Sequence, residues 1–232
     1  MKNSVIGFSI SLCLLVLFFG RNHPASTQND LLANPSFEDS YTGGVAEGWS
    51  AWHYDSMAKK DCSAEVYYTQ PVWSAELASR SLILDGVRSQ HVGNQWDTWR
   101  GGVSQSVDGV TVGETYRFKA SMIGRVSNNQ WPAASDPDGF INGRVGIDPS
   151  GGSDFAAASV AWGDAIIPRD SWQTATVQTV ATSTSITVFV EADFGAIDNC
   201  YPHLDMWFDS ASLVAGERPI LNRQIYLPVL NK

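Results

Sequence analysis

The 232-residue chain has few charges, and most of those are acidic. Only 17% of its residues are charged, and 15 Lys and Arg stand against 24 Asp and Glu, for a net charge of −9. This shortage of cations argues against nucleic acid and anionic membrane surfaces as partners, since both require clustered basic side chains. Hydrophobic residues reach 44%, which excludes an intrinsically disordered chain.

The sequence also lacks the motifs of the common enzyme classes. It has no G-x-S-x-G nucleophile elbow, no H-E-x-x-H zinc motif, no phosphate loop and no dinucleotide fingerprint, and its four histidines are isolated. We therefore expect no catalysis. Glycoside hydrolysis is the alternative, because it requires only two suitably placed carboxylates and the 24 acidic residues offer many pairs.

One long apolar run is present, at the N-terminus. Lys2 precedes an apolar stretch over residues 4–20, and Arg21 follows it. This pattern predicts a signal peptide over residues 1–27 and a secreted or cell-surface protein. An uncleaved membrane anchor is the alternative, since a run of 17 residues is at the lower limit of a membrane span. No later segment is as apolar, so we expect no membrane contact after cleavage.

The chain contains only three cysteines, and Cys13 lies in the apolar run. In an oxidising compartment the other two, Cys62 and Cys200, are most simply paired as a disulfide. Two unpaired thiols are the alternative. Zinc binding is disfavoured, because neither cysteine has a second Cys or His at ligand spacing.

Short segments with a period of two dominate the rest of the chain. Every second residue from Tyr116 to Met122 is apolar, and the same holds from Ile186 to Ala192. Further strands are predicted at 82–84, 174–180 and 207–214, with turns at Gly109 and Gly113 and one or two helical turns over residues 73–80. Many short strands over residues 28–216 predict one all-β domain, a two-sheet β-sandwich or jelly roll, followed by a tail over 217–232.

Aromatic residues make up 11% of the chain, and nine of them are tryptophans. Exposed tryptophan beside amide, carboxylate or guanidinium groups is typical of sugar-binding sites, because sugar rings stack on aromatic faces and their hydroxyls need planar polar partners. On this basis the predicted ligand-binding residues are Trp52, Gln95, Trp96, Trp99, Arg100, Trp131 and Glu191. For each tryptophan the alternative is packing in the core, where Trp is highly buried on average.

Three segments resemble carbohydrate-binding modules of the CenC type, families four, nine and twenty-two. They are residues 31–38 (LLANPSFE) with the Gly-Trp at 48–49, residues 81–84 with 102–116, and residues 207–213 (WFDSASL). The resemblance implies a β-jelly roll that binds polysaccharide or glycan without catalysis. Alternatives to that function are a glycoside hydrolase on a β-sandwich and a structural cell-surface protein without a ligand.

The same resemblance implies a structural calcium ion. At the matching positions stand Glu38 and Asp209, whose hard oxygen atoms suit calcium. Two positions depart from the family pattern, because Pro35 replaces its usual glycine and Ser210 replaces its second aspartate. Separately, residues 225–230 resemble the tails of secreted bacterial proteins and predict attachment to the cell surface. A terminal strand packed on the domain is the alternative.

Overall fold

A computed structural model of the chain describes residues 29–55, 68–195 and 201–216. The predicted signal peptide, the predicted disulfide between Cys62 and Cys200, and the predicted attachment tail lie outside these described residues. Within the described ranges, no helix has the length and apolar character needed to cross a membrane.

The described residues form twelve strands and one short 3₁₀-helix, Arg80–Leu82. The strands are β1 (Tyr41–Thr42), β2 (Val45–Ala46), β3 (Ser50–His53), β4 (Val72–Glu76), β5 (Ser89–Asn94), β6 (Arg100–Asp108), β7 (Thr115–Ser127), β8 (Asn142–Asp148), β9 (Ala161–Trp162), β10 (Gln173–Val180), β11 (Ser185–Asp193) and β12 (His203–Ala215).

Ten of these strands form two five-stranded sheets. Sheet I has the order β3-β6-β11-β8-β9, and sheet II has the order β10-β7-β12-β5-β4, while β1 and β2 form a separate hairpin. All neighbouring strands within the two sheets pair antiparallel. The sheets pack face to face around one apolar core. The predicted all-β sandwich is therefore confirmed.

The alternating pattern decides which side chains enter that core. Ile186 and Val188 from β11 meet Phe118 and Met122 from β7, and all four side chains are fully buried. Burying one such side chain stabilises the fold by roughly 1.5–3 kcal/mol. The predicted strands at β7 and β11 are thus confirmed.

The turns predicted at two glycines are present in the structure. Gly109 and Gly113 have φ angles of +79° and +83°, in the left-handed region that glycine adopts without steric cost. These two turn positions lie between β6 and β7, as predicted.

Residues 73–84 differ from the sequence prediction. The stretch expected to form helical turns begins within strand β4, and the 3₁₀-helix Arg80–Leu82 stands where a strand was expected to begin. Strand β4 forms a regular ladder with β5, in which Ser74 lies opposite His91. Pairing with β5 thus outweighed the weak helical pattern of this segment, as is common for short strands.

The chain ends of the described domain lie side by side. The backbone N–H of Leu31 donates to the carbonyl of Leu213 at 2.9 Å, and the backbone N–H of Ala211 donates to the carbonyl of Pro35 at 2.8 Å. The first described residues are therefore attached to β12, the last strand.

Part of the outer face of sheet I is covered by residues 149–160, which we call the covering segment. Its Val160 is buried against Trp52 and Phe189 of the sheet. Asp148, only 1% exposed, fixes both ends of the segment. Its carboxylate accepts hydrogen bonds from the Ser150 N–H at 2.8 Å and from the Ser159 hydroxyl at 3.0 Å.

Candidate functional site

The candidate site lies on the uncovered part of the outer face of sheet I. Strand β11 directs Val190 and Ala192 into the core, so Glu191 and Asp193 lie on the opposite face. In the strand ladders, Glu191 lies opposite Arg144 of β8, and Asp193 lies opposite Arg100 of β6. The sheet therefore assembles two acidic and two basic side chains from three adjacent strands.

Glu191 is held between the two arginines. One carboxylate oxygen accepts from Arg144 Nε at 2.6 Å, and the other accepts from Arg100 Nη2 at 3.1 Å. The Glu191 side chain is only 3% exposed. Burial by itself lowers the pKa of Arg100, but the charge and hydrogen bond of Glu191 outweigh that effect and raise the pKa above its usual value. The guanidinium group therefore stays charged.

Aromatic rings flank this charged group on two sides. The guanidinium carbon of Arg100 lies 4.3 Å from the centre of the Tyr54 ring, and that of Arg144 lies 4.2 Å from the Trp162 ring. Both distances are within the range of cation–π attraction. The rings thus restrict the orientation of both planar guanidinium groups.

A second acidic group adjoins the pair. Arg100 Nε lies 3.7 Å from one carboxylate oxygen of Asp193, Oδ2. The other oxygen, Oδ1, accepts a hydrogen bond from the Tyr68 hydroxyl at 3.2 Å. Burial, and then the charge of Asp193, raise the pKa of Tyr68 to about 12. The hydroxyl therefore remains a donor at neutral pH.

These side chains border an open cavity of about 240 Å³. Its lining combines Arg100, Arg144, Glu191 and Asp193 with Asn142, Gly143 and Ala165. Donors, acceptors and carboxylates are therefore fixed at the wall of a small cavity, with aromatic rings nearby. Small-molecule sites have this combination of a few convergent polar groups and aromatic side chains.

The structure thus brings together two of the predicted ligand-binding residues, Arg100 and Glu191. It also adds Arg144, Asn142 and Asp193, which sequence reasoning did not select. Asp193 shares a strand face with Glu191, a relation that the period of two does show. Arg144 becomes visible only once β8 is paired with β11 in the observed register.

Trp52 was predicted as a ligand contact through an exposed ring, and the expected exposure is contradicted by the structure. Trp52 points to the same face but is only 6% exposed. The covering segment places Phe155 against it, with ring centres 4.5 Å apart and planes at 25°. A ring that is already stacked on one face and packed by neighbours offers no surface to a sugar.

The expected exposure of Trp99, another predicted ligand contact, is also contradicted by the structure. Trp99 is fully buried, and its indole N–H donates to the carbonyl of Leu204 at 2.8 Å. Its ring packs on Phe194 with centres 4.8 Å apart. The polar residues on both sides of Trp99 suggested a loop, yet the ring itself enters the core.

The remaining predicted ligand residues lie away from this cavity. Trp96 is 58% exposed and follows Gln95, which lines a separate cavity beside sheet II. Trp131 is partly buried on the outer face of sheet II, 6.5 Å from the ring of Trp207. The structure therefore does not unite these residues with Arg100 and Glu191.

The predicted calcium ligands stabilise a loop between the 3₁₀-helix and β5. Fully buried Asp209 accepts from the backbone N–H groups of Leu84 and Asp85 at 2.8 and 3.1 Å. Glu38 accepts from the N–H groups of Val87 and Arg88, both at 2.9 Å. The two carboxylates thus bind adjacent parts of the same loop.

The environment of Asp209 disfavours an uncompensated negative charge. Burial is the main cause that raises its pKa to about 6, and the charge of Glu38 adds to it, although backbone hydrogen bonds act in the opposite direction. Among the described residues, no three His, Cys, Asp or Glu side chains are grouped to hold a metal. The donor set nevertheless fits calcium in kind, since carboxylate oxygens have lone pairs beyond those used by N–H donors.

Comparisons with known proteins bear on the fold. No protein-family model and no curated protein matches the sequence. Among solved structures, the chain is similar to TmCBM61 in complex with β-1,4-galactotriose, with a TM-score of 0.50, 13% identity, and coverage of 81% of this chain and 99% of that chain. The chain has the fold of a β-sandwich carbohydrate-binding module. The predicted resemblance is therefore confirmed at the level of the fold.

Two further solved structures are similar to this chain. One is the CBM22-1 xylan-binding domain of Paenibacillus barcinonensis Xyn10C, with a TM-score of 0.48, 13% identity, and coverage of 83% of this chain and 97% of that chain. The other is the enzymatically active domain of bacteriophage CBA120 tailspike protein 4, with a TM-score of 0.50, 5% identity, and coverage of 81% and 21%. The module fold alone therefore does not fix a function, which has to be argued from the site.

Proposed function

We propose that the protein binds a polysaccharide or glycan, without cleaving it, on the uncovered outer face of sheet I. The observation that carries this proposal is the Arg100–Glu191–Arg144 group, flanked by Tyr54 and Trp162 beside the cavity. Similar folds described as bound to galactotriose or as xylan-binding support the ligand class. The N-terminal apolar run supports binding outside the cell, either secreted or at the cell surface.

Each part of the group has a chemical use in sugar binding. The arginine N–H groups and the Asn142 amide donate to sugar hydroxyls, and the Asp193 carboxylate accepts from them. Tyr54 and Trp162 are only partly buried, and we expect the exposed part of each ring to contact the apolar C–H face of a sugar. Because the ion pairs already fix the side chains, binding costs little side-chain entropy. Affinity is still modest, since sugar hydroxyls exchange water contacts for protein contacts with a small net gain.

The hydrolase alternative is less well supported by this geometry. Glycoside cleavage needs one carboxyl group to donate a proton to the leaving oxygen and a second carboxylate to act on the other side of the bond. Both oxygens of Glu191 already accept hydrogen bonds from arginines. Glu191 is therefore engaged in holding the site together.

The test is binding to xylan, galactan, β-glucan, mannan and chitin, with released sugar assayed in the supernatant. We expect retention without release, and at least a tenfold weaker affinity for Arg144→Ala, since removing a central charged group from a site typically costs more than about 1.4 kcal/mol. Asn142→Ala, which leaves the ion pairs intact, is expected to weaken binding less. Circular dichroism confirms that each variant is folded.

Arg117→Ala is the matched control, because Arg117 is an exposed arginine on β7 of the other sheet. Equal affinities of Arg144→Ala, Arg117→Ala and the wild type would contradict the proposed site. Release of sugar from any polymer would contradict non-catalytic binding and support the hydrolase alternative.

We also propose that Glu38 and Asp209 hold a structural calcium ion against the loop at residues 84–88. The placement of both carboxylates against the same loop, close enough for the charge of Glu38 to act on Asp209, supports a neighbouring cation. Calcium takes six to eight oxygen ligands, so backbone carbonyls and water would complete the set around the two carboxylates. Its role would be to hold this loop against β12.

A further inference from the structure

The outer face of sheet II carries a second polar group that the proposed function does not use. Three side chains meet across three adjacent strands: Ser74 on β4, His91 opposite it on β5, and Asp205 on β12, which lies opposite Gly93 and diagonal to His91. The Ser74 hydroxyl is 2.9 Å from His91 Nδ1, and His91 Nε2 is 3.0 Å from Asp205 Oδ1. The imidazole ring also stacks on Trp207, with centres 4.9 Å apart and planes at 30°. The histidine is therefore fixed on three sides.

A glycine makes this arrangement sterically feasible. A Cβ atom on Gly93 would lie 2.8 Å from His91 Nε2, and it would approach the Asp205 carboxylate still more closely. Any other residue at this position would therefore push the histidine and the aspartate apart. Gly93 leaves the contact between them open to a cavity.

That cavity has a volume of about 370 Å³. It is lined by Val72, His91, Gly93, Asn94, Gln95 and Asp205. Val72 is 65% exposed, and Gln95 is exposed as well. The cavity thus combines the apolar surface of Val72 on β4, the amide of Asn94 at the end of β5, and the His91–Asp205 pair. Its volume is at the small end of the range for small-molecule sites.

An unusual tryptophan follows directly after the lining residue Gln95. Trp96 has a φ angle of +68°, a left-handed conformation that is uncommon for a bulky side chain. Its backbone N–H donates to the carbonyl of Tyr201 at 3.0 Å, which holds the chain in this turn, and its ring is 58% exposed. Residues held in uncommon backbone conformations are found more often at functional sites than elsewhere.

We propose that this cavity is a second saccharide-binding site, on the face of the sandwich opposite the first. Its ligand is a short neutral segment, one or two sugar units of the same glycan class. Asp205 accepts from a sugar hydroxyl, the Gln95 amide donates and accepts, and Trp96 packs against a ring. Because the acidic Asp205 lies beside the basic His91, we expect the cavity to favour neutral sugar hydroxyls over a charged group of a ligand. This inference takes its ligand class from the proposed function but is independent of the site on sheet I.

Serine, histidine and aspartate also form nucleophilic triads, so acyl transfer has to be distinguished from binding. Nucleophilic serines of the elbow type lie on a sharp, strained turn that exposes the hydroxyl. Ser74 instead lies inside the regular ladder between β4 and β5, opposite His91. The geometry therefore favours a fixed polar surface that binds a ligand.

The test is a titration of the full-length protein with β-1,4-galactotriose and with xylotriose, followed by two-dimensional NMR of the backbone amides. Gly93 and Gln95 report on the sheet II cavity, and Gly143 and Arg144 report on the sheet I site. We expect shifts in both groups with at least one of the two sugars. Gly93→Ala and Gln95→Ala are expected to weaken binding in the sheet II cavity at least fivefold and to leave the shifts of Gly143 unchanged.

Gln178→Ala is the matched control, since Gln178 is an exposed glutamine on β10 at the other edge of sheet II. Shifts confined to sheet I would overturn the second site and leave the proposed function standing. Shifts confined to sheet II would support the second site and contradict the first. No shift with either sugar would overturn both. If the protein hydrolyses p-nitrophenyl acetate and Ser74→Ala loses this activity, the sheet II group performs acyl transfer. The proposal of a saccharide-binding site would then be overturned.

Discussion

Trp96 and Trp99 are three residues apart and have opposite environments. Trp96 presents a ring that is 58% exposed, while Trp99 is fully buried and hydrogen-bonded to the Leu204 carbonyl. At the scale of single residues, the same side chain therefore has two different roles. One presents its ring at the surface, and the other stabilises the core.

Replacement of each tryptophan by alanine tests this contrast. Trp99→Ala is expected to lower the free energy of unfolding by about 3–5 kcal/mol, because it leaves a large cavity in the core. Trp96→Ala, the matched variant at an exposed position, is expected to change it by no more than about 0.5 kcal/mol. Urea unfolding followed by circular dichroism measures both values. Similar destabilisation by the two variants would contradict the assigned environments.

Residue type and local pattern identified part of the candidate site and missed the rest. Arg100 and Glu191 were selected because polar groups beside aromatic residues suggest sugar binding. Arg144 was missed because its relation to Glu191 depends on the register between β8 and β11, which the sequence does not show. Trp99 was misassigned because its neighbours along the chain are polar, whereas the packing of its ring depends on Phe194, distant in sequence.

At the scale of structural elements, the covering segment decides how much of the sheet I face is accessible. Its Phe155 packs on Trp52, with ring centres 4.5 Å apart, and on Tyr54, with centres 4.7 Å apart. The segment thereby removes Trp52 from the surface and helps to position Tyr54 beside Arg100. It both restricts and organises the candidate site.

Phe155→Ala tests this role of the covering segment. Loss of the ring is expected to expose Trp52, to increase quenching of tryptophan fluorescence by acrylamide, and to destabilise the fold by about 1–3 kcal/mol. Affinity for glycan is expected to fall, because Tyr54 loses its packing partner. Val112→Ala, a truncation of a 56% exposed apolar residue, is the control. Unchanged quenching in Phe155→Ala would contradict the covering role.

At the scale of the whole molecule, the calcium proposal makes a prediction about thermal stability. An ion that binds only the folded state stabilises it by about 2.7 kcal/mol when present at 100 times its Kd, which corresponds to a rise in Tm of roughly 5–10 °C for a domain of this size. We expect this rise on replacing EGTA by calcium. Asp209→Asn is expected to abolish it, while Asp108→Asn, at an exposed position, retains it. Equal Tm values of the wild type in calcium and EGTA would contradict the proposal.

The sandwich itself was predictable because alternation is a local property. The apolar faces of β7 and β11 can be counted from the sequence, and a face of that kind has to be buried against another sheet. The order of strands within each sheet was not predictable, since it depends on pairing between distant segments. For the same reason, the way in which side chains from different strands combine on the two outer faces became apparent only in the structure.

The hydrogen bond between Leu31 and Leu213 has a consequence for how this domain can be joined to others. Its two chain ends leave from the same place on the sandwich, so a neighbouring domain fused to either end would meet the same part of the surface. A protein in which the neighbouring domain precedes this domain would therefore have nearly the same domain arrangement as one in which it follows. The domain can also be spliced into an exposed loop of a host protein without separating the two sides of that loop.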